Sequence, residues 1–522
     1  MQDHFEEKLT VLQNPSLFQT LPDMMRGLEK ESLRIQPNGY LAQSSHPKCL
    51  GSALTHPWIT TDYSEALLEF ITPVFSSIDA PLTFLENVHR FIYHCLGEEK
   101  LWVSSMPCIM GDESTIPIAE YGSSNSGKMK HIYRHGLWHR YGRLMQTIAG
   151  VHYNVSFPKS FWQHYQLASN NAEPLQDFIS EQYFHIIRNF QRYVGMVVYL
   201  FGASPAVCPS FLKGRQHQLE PLNNASLYTP YGTSLRMSNL GYSNDAQSDL
   251  NISYNSLHEY VTTLTHAIRT PYPPYENIGV KVNDEYRQLN ANILQIENEY
   301  YGNIRPKRTT ERGERPTVAL ARRGVEYIEM RCVDLDPFSP VGISTQQIRF
   351  LDMFALFCLL QPSPLITPEE QACIDFNREA MVLKGRDPEL LLKCGDDSVR
   401  FRDWSLAILN KMDEIARLFD QAHQTHLYSD ALARQIEKVK DPQLTPSAQV
   451  IDILKQNQQS FFQFGMEMTL QHELHFRSHP LSEAQLNEFK MAAEKSLAAQ
   501  KQIEASDDIS FEEYLARYFA DE

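Results

Sequence analysis

Glu29 and Glu31 stand two residues apart in the run Arg26-Gly27-Leu28-Glu29-Lys30-Glu31-Ser32-Leu33-Arg34. In a strand, residues i and i+2 share a face, so both carboxylates would point into one space. Anions that close repel, and burying them is costly unless cations lie between them. Magnesium suits that role, because it takes oxygen ligands from a few carboxylates together with substrate phosphates. A Glu-x-Glu pair also occurs on solvated strand edges, so its weight depends on what recurs along the chain.

Similar faces do recur. In Gly324-Val325-Glu326-Tyr327-Ile328-Glu329-Met330-Arg331, alternation puts Tyr327, Glu329 and Arg331 on one side and Ile328, Met330 and Cys332 on the other. The stretch from Gln146 to Ser156 reads as a strand with Gln146, His152, Asn154 and Ser156 on one face and Val151, Tyr153 and Val155 on the other. A third stretch, Asn292 to Tyr301, places Gln295, Glu297, Glu299 and Tyr301 together and runs into Arg305-Pro306-Lys307-Arg308. Lining one funnel, such faces would hold divalent cations and a polyphosphate. The strand pattern alone leaves two readings open, a magnesium–nucleotide site and polar faces closed by their own ion pairs.

The elements that must position these residues follow from periodicity and turn signals. A helix is expected over 3–21, the carboxylate strand near 26–35, and a turn at Pro37-Asn38-Gly39. Helices are expected over 79–97, 128–144, 173–201 and 254–269, and a strand from Val325 to Val333. Beyond about residue 345 the pattern becomes long helical periods with charged faces. The resulting division is an α+β catalytic core over 1–345 and a mainly helical region over 346–522 packed on it.

Two motifs point elsewhere. Gly122-Ser123-Ser124-Asn125-Ser126-Gly127-Lys128 fits the first seven positions of a phosphate-binding loop, but the next residue is Met129 where Ser or Thr would hold magnesium. Its upstream segment, Ile116-Pro117-Ile118-Ala119-Glu120-Tyr121, is a poor buried strand. A polar loop capping a helix is the preferred reading. His131, His135 and His139 recur every fourth residue on one helix face, without the glutamate of a His-Glu-x-x-His zinc motif. They read as an exposed or interface stripe. A Gly-x-Ser-x-Gly elbow and a Gly-x-Gly-x-x-Gly dinucleotide fingerprint are both missing.

The 522 residues carry a net charge of −16, which argues against nonspecific nucleic-acid or anionic-membrane binding. The eight cysteines show no Cys-x-x-Cys and no disulfide-like rhythm, and the reduced cytosol is the expected compartment. The acidic, amphipathic start MQDHFEEKLTVLQ does not read as a signal peptide. No apolar run approaches membrane-spanning length.

The stretches RGLEKESLR, GSALTHPWITTDYSEALLEFITP, LMQTIAGVHYNVSFP, YLFGASPAVC, LQIENEYYGNIRPKR and GVEYIEMRCVDLDPFSP closely resemble the glutamate–cysteine ligases of the bacterial glutathione pathway. The resemblance runs in order from about residue 20 to 345 and continues more loosely beyond. It implies a glutamine-synthetase-like fold, a curved antiparallel sheet forming a funnel with helices outside. It also implies ATP-dependent joining of the glutamate γ-carboxylate to the cysteine amine through a γ-glutamyl phosphate. Implied with it are magnesium or manganese as metal, a monomer, and glutathione as feedback inhibitor. The chain leaves no room for a second ATP-dependent domain, so only the first step of glutathione synthesis is expected.

Roles transfer residue by residue. Glu29, Glu31, Asp62, Glu69, His152 and Glu329 match the family's magnesium ligands, and Arg134 and Arg331 match arginines that face the transferring phosphate. Arg236 matches a substrate-carboxylate residue, while Tyr242 and Tyr301 match tyrosines that hold the cysteine carboxylate. Tyr63, Tyr133, Leu137 and Gln146 match the pocket for the cysteine side chain. A family relative carries phenylalanine where this chain has Tyr63. The three helix histidines match no family motif, and Glu297 and Glu299 have no direct role implied.

Overall fold

In the computed structural model, the carboxylate-bearing run forms β1 (Met25–Ile35), the longest strand of a seven-stranded sheet. The structure describes residues 4–520 apart from 108, 214, 243–249, 312 and 396. The other strands are β2 (Ile59–Thr61), β3 (Leu67–Ile71), β4 (Lys100–Leu101), β5 (Val151–Ser156), β6 (Ile304–Lys307) and β7 (Tyr327–Val333). Their order is β6-β7-β5-β1-β3-β2, with β4 pairing the far end of β1. Every pairing is antiparallel. Such a sheet can pack one face on a core and open the other.

The closed face lies on helices. Val151, Tyr153, Val155, Ile328, Met330 and Cys332 are buried there, against α3 (Leu175–Phe201) and α4 (Thr345–Leu360). α4 begins at a capping box between Ser344 and Gln347 and is buried on nearly all sides. Further helices follow: α5 (Phe401–His423), α6 (Leu427–Lys440), α7 (Phe461–Ser478), α8 (Glu483–Ser506) and α9 (Phe511–Phe519). One apolar cluster runs from Phe5 through the sheet to Phe461, Phe476 and Phe489. At Gly465 a Cβ would collide with the Trp102 ring, so the missing side chain lets α7 approach the sheet's edge. Among the described residues no helix is long and apolar enough to cross a membrane.

Several expectations need correction. The helix expected over 3–21 is two, His4–Leu12 and Pro15–Phe18, because Asn14 caps a new start ahead of Pro15. Gln146 lies in the helical turn Met145–Thr147, and strand pairing begins only at Val151. No strand forms over 292–301, where Glu297–Glu299 is a 3-10 turn. There the Glu299 carboxylate accepts from the Gln295 amide and the Asn290 side chain accepts from the Asn292 amide, which removes donors that a ladder would use. Cys49 and Cys95 form a disulfide across 46 residues, a pairing that sequence spacing did not announce. A small hairpin, Leu391–Cys394 with Asp397–Arg400, interrupts the otherwise helical C-terminal region.

Candidate active site

The open face of the sheet is defined by its register. Glu31 stands opposite Glu69, Glu29 opposite His152, and Glu329 opposite Asn154. Directly opposed residues share a face, so alternation within strands and register between them gather four carboxylates and one imidazole. They line one end of a cavity of about 1370 Å³, along with Asp62 beyond β2. Around them stand Arg236, Arg331, Arg134, Arg305, Lys130 and Lys307.

The distances show a cluster poised for a cation. His152 Nδ1 lies 3.3 Å from Glu29 and 3.4 Å from Glu329, and its Nε2 lies 3.9 Å from Glu31. One ligand atom each from Glu29, His152 and Glu329 fall within 4.8 Å of one another. Asn154 donates to Glu29 at 2.9 Å, and the Gly150 amide donates to Glu31 at 2.7 Å. Arg331 donates to Glu329 Oε1 at 2.9 Å. The second oxygen of Glu329 is buried without a hydrogen-bond partner, with Lys307 Nζ at 3.6 Å. A buried carboxylate oxygen so placed, beside a histidine and a second glutamate, fits a divalent metal.

Electrostatics divides the carboxylates. Burial and the Glu329 charge push Glu29 up, but His152 and Lys307 outweigh them and hold it below the usual carboxylate range. Burial likewise opposes the ionised form of Glu329, yet Arg331, Lys307 and His152 hold it well below that range. Glu31 is raised by burial, with Asp62 adding to the effect. Glu69 is pushed up to about 8 by burial and by Glu29, Asp62 and Glu31. Burial and Arg331 lower His152, but the carboxylates around it raise it to about 8. The cavity end is therefore short of positive charge on the Glu31–Glu69 side.

The remaining residues named from sequence fall around the same chamber. Tyr301 donates to Gln146 at 3.1 Å, which brings together two groups from distant segments. Tyr63, Tyr133 and Leu137 line the wall, and the Tyr63 hydroxyl is buried without a hydrogen-bond partner. Arg236 donates to the Arg331 carbonyl at 2.7 Å. Its guanidinium occupies space that a Cβ on Gly150 would fill. Arg134, on α2 (Asn125–Tyr141), is bound back to the Asp62 carbonyl and covers the Tyr121 ring at 4.6 Å. Tyr242 ends a short helix, Asn239–Tyr242, and its side chain lies outside the described residues.

Glu297 and Glu299 resolve differently from their expected strand. Glu297 pairs with Arg315 at 3.1 Å and accepts from Thr317, while Glu299 pairs with Arg140 at 2.8 Å and accepts from Tyr141. Glu299 is fully buried and does not line the cavity. The helix histidines are half-buried, with His131 Nδ1 2.8 Å from the Ala119 carbonyl and His135 3.1 Å from His131. Sequence reasoning missed Lys130 and Lys307 as chamber residues. Lys307 follows Arg305 by two on β6, so alternation could have found it. Lys130 stands four residues before Arg134, one helical turn away.

The family model for glutamate-cysteine ligase matches residues 9–381. A glutamate–cysteine ligase of Alcanivorax borkumensis is 56% identical over 99% of this chain and all of its own length. One of Hahella chejuensis is 49% identical over 96% of each chain. The crystal structure of a glutamate–cysteine ligase from Francisella tularensis in complex with AMP superposes with a TM-score of 0.89 at 37% identity, covering 95% of this chain and 97% of that one. With matches over nearly the whole length, carrying the strands that build the chamber, the chain belongs to the glutamate–cysteine ligase family of enzymes.

Proposed function

We propose that this enzyme phosphorylates the γ-carboxylate of L-glutamate with ATP and passes the γ-glutamyl group to the amine of L-cysteine, giving γ-glutamylcysteine, ADP and phosphate. The observation that carries the reading is the chamber's charge layout. Five carboxylates and His152 gather at one end, with arginines and lysines around them. That layout suits a polyphosphate brought with its metal ions and an amino-acid carboxylate beside it. The AMP bound to the Francisella relative is consistent with nucleotide use here. We read the sheet as the glutamine-synthetase-like funnel implied by sequence.

Glu29, His152 and Glu329 would hold one magnesium ion, and Glu31, Asp62 and Glu69 supply oxygens for others. Bound metal supplies positive charge to the phosphate oxygens. Arg331 lies 2.9 Å from Glu329 and 3.4 Å from His152, close enough to offset charge on a transferring phosphoryl group. Arg134 serves the same group after leaving its carbonyl contacts. Arg236 binds a substrate carboxylate, and Tyr301, with Tyr242, binds that of cysteine. Tyr63, Tyr133, Leu137 and Gln146 enclose the thiol side chain and exclude water, which would otherwise hydrolyse the acyl phosphate.

The test is ADP release by purified protein with ATP, Mg²⁺ and glutamate, run with cysteine, with 2-aminobutyrate and with no amine. Release that requires glutamate and rises with both amines supports the reading. Tight ATP binding without amine-dependent release would overturn it and leave a different amine as substrate.

A further inference from the structure

The loop that imitates a phosphate cradle is occupied by the chain's own C-terminal carboxylates. The Ser123 amide donates to Glu504 at 2.9 Å, and the Asn125 amide donates to Asp507. Asn125 also donates through its side chain to the Ile509 carbonyl at 3.0 Å. α2 has no acidic residue in its own first turn, so these carboxylates complement its positive end. Gly122, at φ +80°, lets the loop pass against Gln500 and Glu504, where a Cβ would collide with both.

Beyond this junction, α9 lies along α2. Phe511 and Leu515 form a buried cluster with Met129, Ile132 and Leu289. Tyr133, Ile296, Tyr514 and Tyr518 pack against the same cluster. Tyr514, Tyr518 and Ile503 of α8 also line the chamber, beside Ser126, Met129 and Lys130 of α2. On the outside, Glu512 accepts from Tyr286 at 3.1 Å. The C-terminal partners in these contacts, Gln500 to Tyr518, lie beyond residue 381, where the family-model match ends.

We infer that residues 504–519 are part of the substrate chamber: Tyr514 and Tyr518 form its wall beside Tyr133, and the Asp507–Asn125 junction fixes the axial position of α2. Because α2 carries Tyr133 and Arg134 side by side and Leu137 one turn later, a slip of α2 displaces the amine pocket together with Arg134. Tyr514 and Tyr518 are positioning residues for the amine substrate. The inference rests on the ligase reading for its kinetic arm alone.

The experiment compares wild type with Tyr514→Ala/Tyr518→Ala, Tyr514→Phe/Tyr518→Phe and Asp507→Ala in the full chain. Each variant is assayed for kcat and for KM toward cysteine, glutamate and ATP, and for hydrogen exchange of 125–141. For the double Ala variant, the cysteine KM should rise about tenfold with kcat and glutamate KM little changed, and for Asp507→Ala the same rise should come with a fall in kcat, because Arg134 moves with α2. Exchange over 125–141 should speed up in Asp507→Ala, and the double Phe variant should restore the cysteine KM. Equal loss in all kinetic parameters alongside a lowered melting temperature, or a rise confined to the ATP KM, would overturn the inference. So would unchanged exchange in Asp507→Ala, which is readable even if wild type releases no ADP and the ligase reading falls.

Discussion

The two faces of β1 carry charge of opposite sign and treat it in opposite ways. Arg26, Lys30 and Arg34 point to the closed side and are at most 4% exposed. Arg26 meets Asp352 of α4 at 2.7 Å, and Arg34 meets Glu99 at 2.6 Å. Lys30 meets the His89 ring at 2.7 Å and lies over the Phe70 ring at 5.8 Å, and burial lowers it to about 7. On the open side, Glu29 and Glu31 share their surroundings with Glu69, Glu329 and Asp62. Protein cations cover the Glu29–Glu329 part of that cluster and compensate the Glu31–Glu69 part less, so that burial and neighbouring carboxylates raise both groups. Removing one partner of a charge pair closed within the fold destabilises it, whereas carboxylates short of cations around an open cavity are candidates for holding a ligand.

Mutations on the two faces should therefore separate activity from stability. Glu329→Gln keeps the shape and removes the charge, and should lower kcat roughly a thousandfold with little change in melting temperature. Near-normal turnover in that variant would break the comparison. Asp352→Ala leaves Arg26 charged and buried, and should cost about 3–5 kcal/mol in urea unfolding while the folded fraction keeps its kcat. Arg331→Lys retains charge but loses the planar fork, and should lower kcat roughly tenfold to a hundredfold.

Three smaller effects sharpen the contrast. Magnesium should raise the melting temperature of wild type, and the shift should shrink in Glu329→Gln, because a ligand that binds only the folded state stabilises it. Away from the cavity, burial lowers His472 and His56 to about 4. Unfolded chain takes up protons at these residues below its ordinary pKa of about 6.5, which the fold refuses until about 4. Their stabilisation is complete above about 6.5 and declines as pH falls toward 4, so the melting temperature should drop across that window. His472→Gln should flatten the slope. Finally, Tyr63→Phe removes a buried unpartnered hydroxyl and should leave stability unchanged or raise it by about 1 kcal/mol. A raised cysteine KM in that variant would show that the hydroxyl contacts substrate.

Much of the candidate site's geometry was legible because strand alternation is local. Glu29 with Glu31, His152 with Asn154, and Glu329 with Arg331 each share a face for reasons contained in a few consecutive residues. The same reasoning failed at Gln295 to Tyr301, where alternation was present but Arg315, Thr317, Arg140 and Tyr141 came from elsewhere to bind the two glutamates. Alternation reports a face only when the backbone is free to pair, and here side chains had taken the Asn292 and Gln295 amides while Ile293 and Leu294 donate to the carbonyls of Thr270 and Ala267.

The sequence by itself determined which residues could share a strand face, where the helices run, and which family the long motifs resemble, since these depend on near neighbours and on composition. Tertiary structure alone decided that Glu31 faces Glu69, that Cys49 reaches Cys95, and that Tyr301 meets Gln146. It also turned a phosphate-loop look-alike into a clasp for Glu504 and Asp507. Each of these contacts joins segments tens to hundreds of residues apart. They are selected by packing of the whole chain, and no local pattern encodes them.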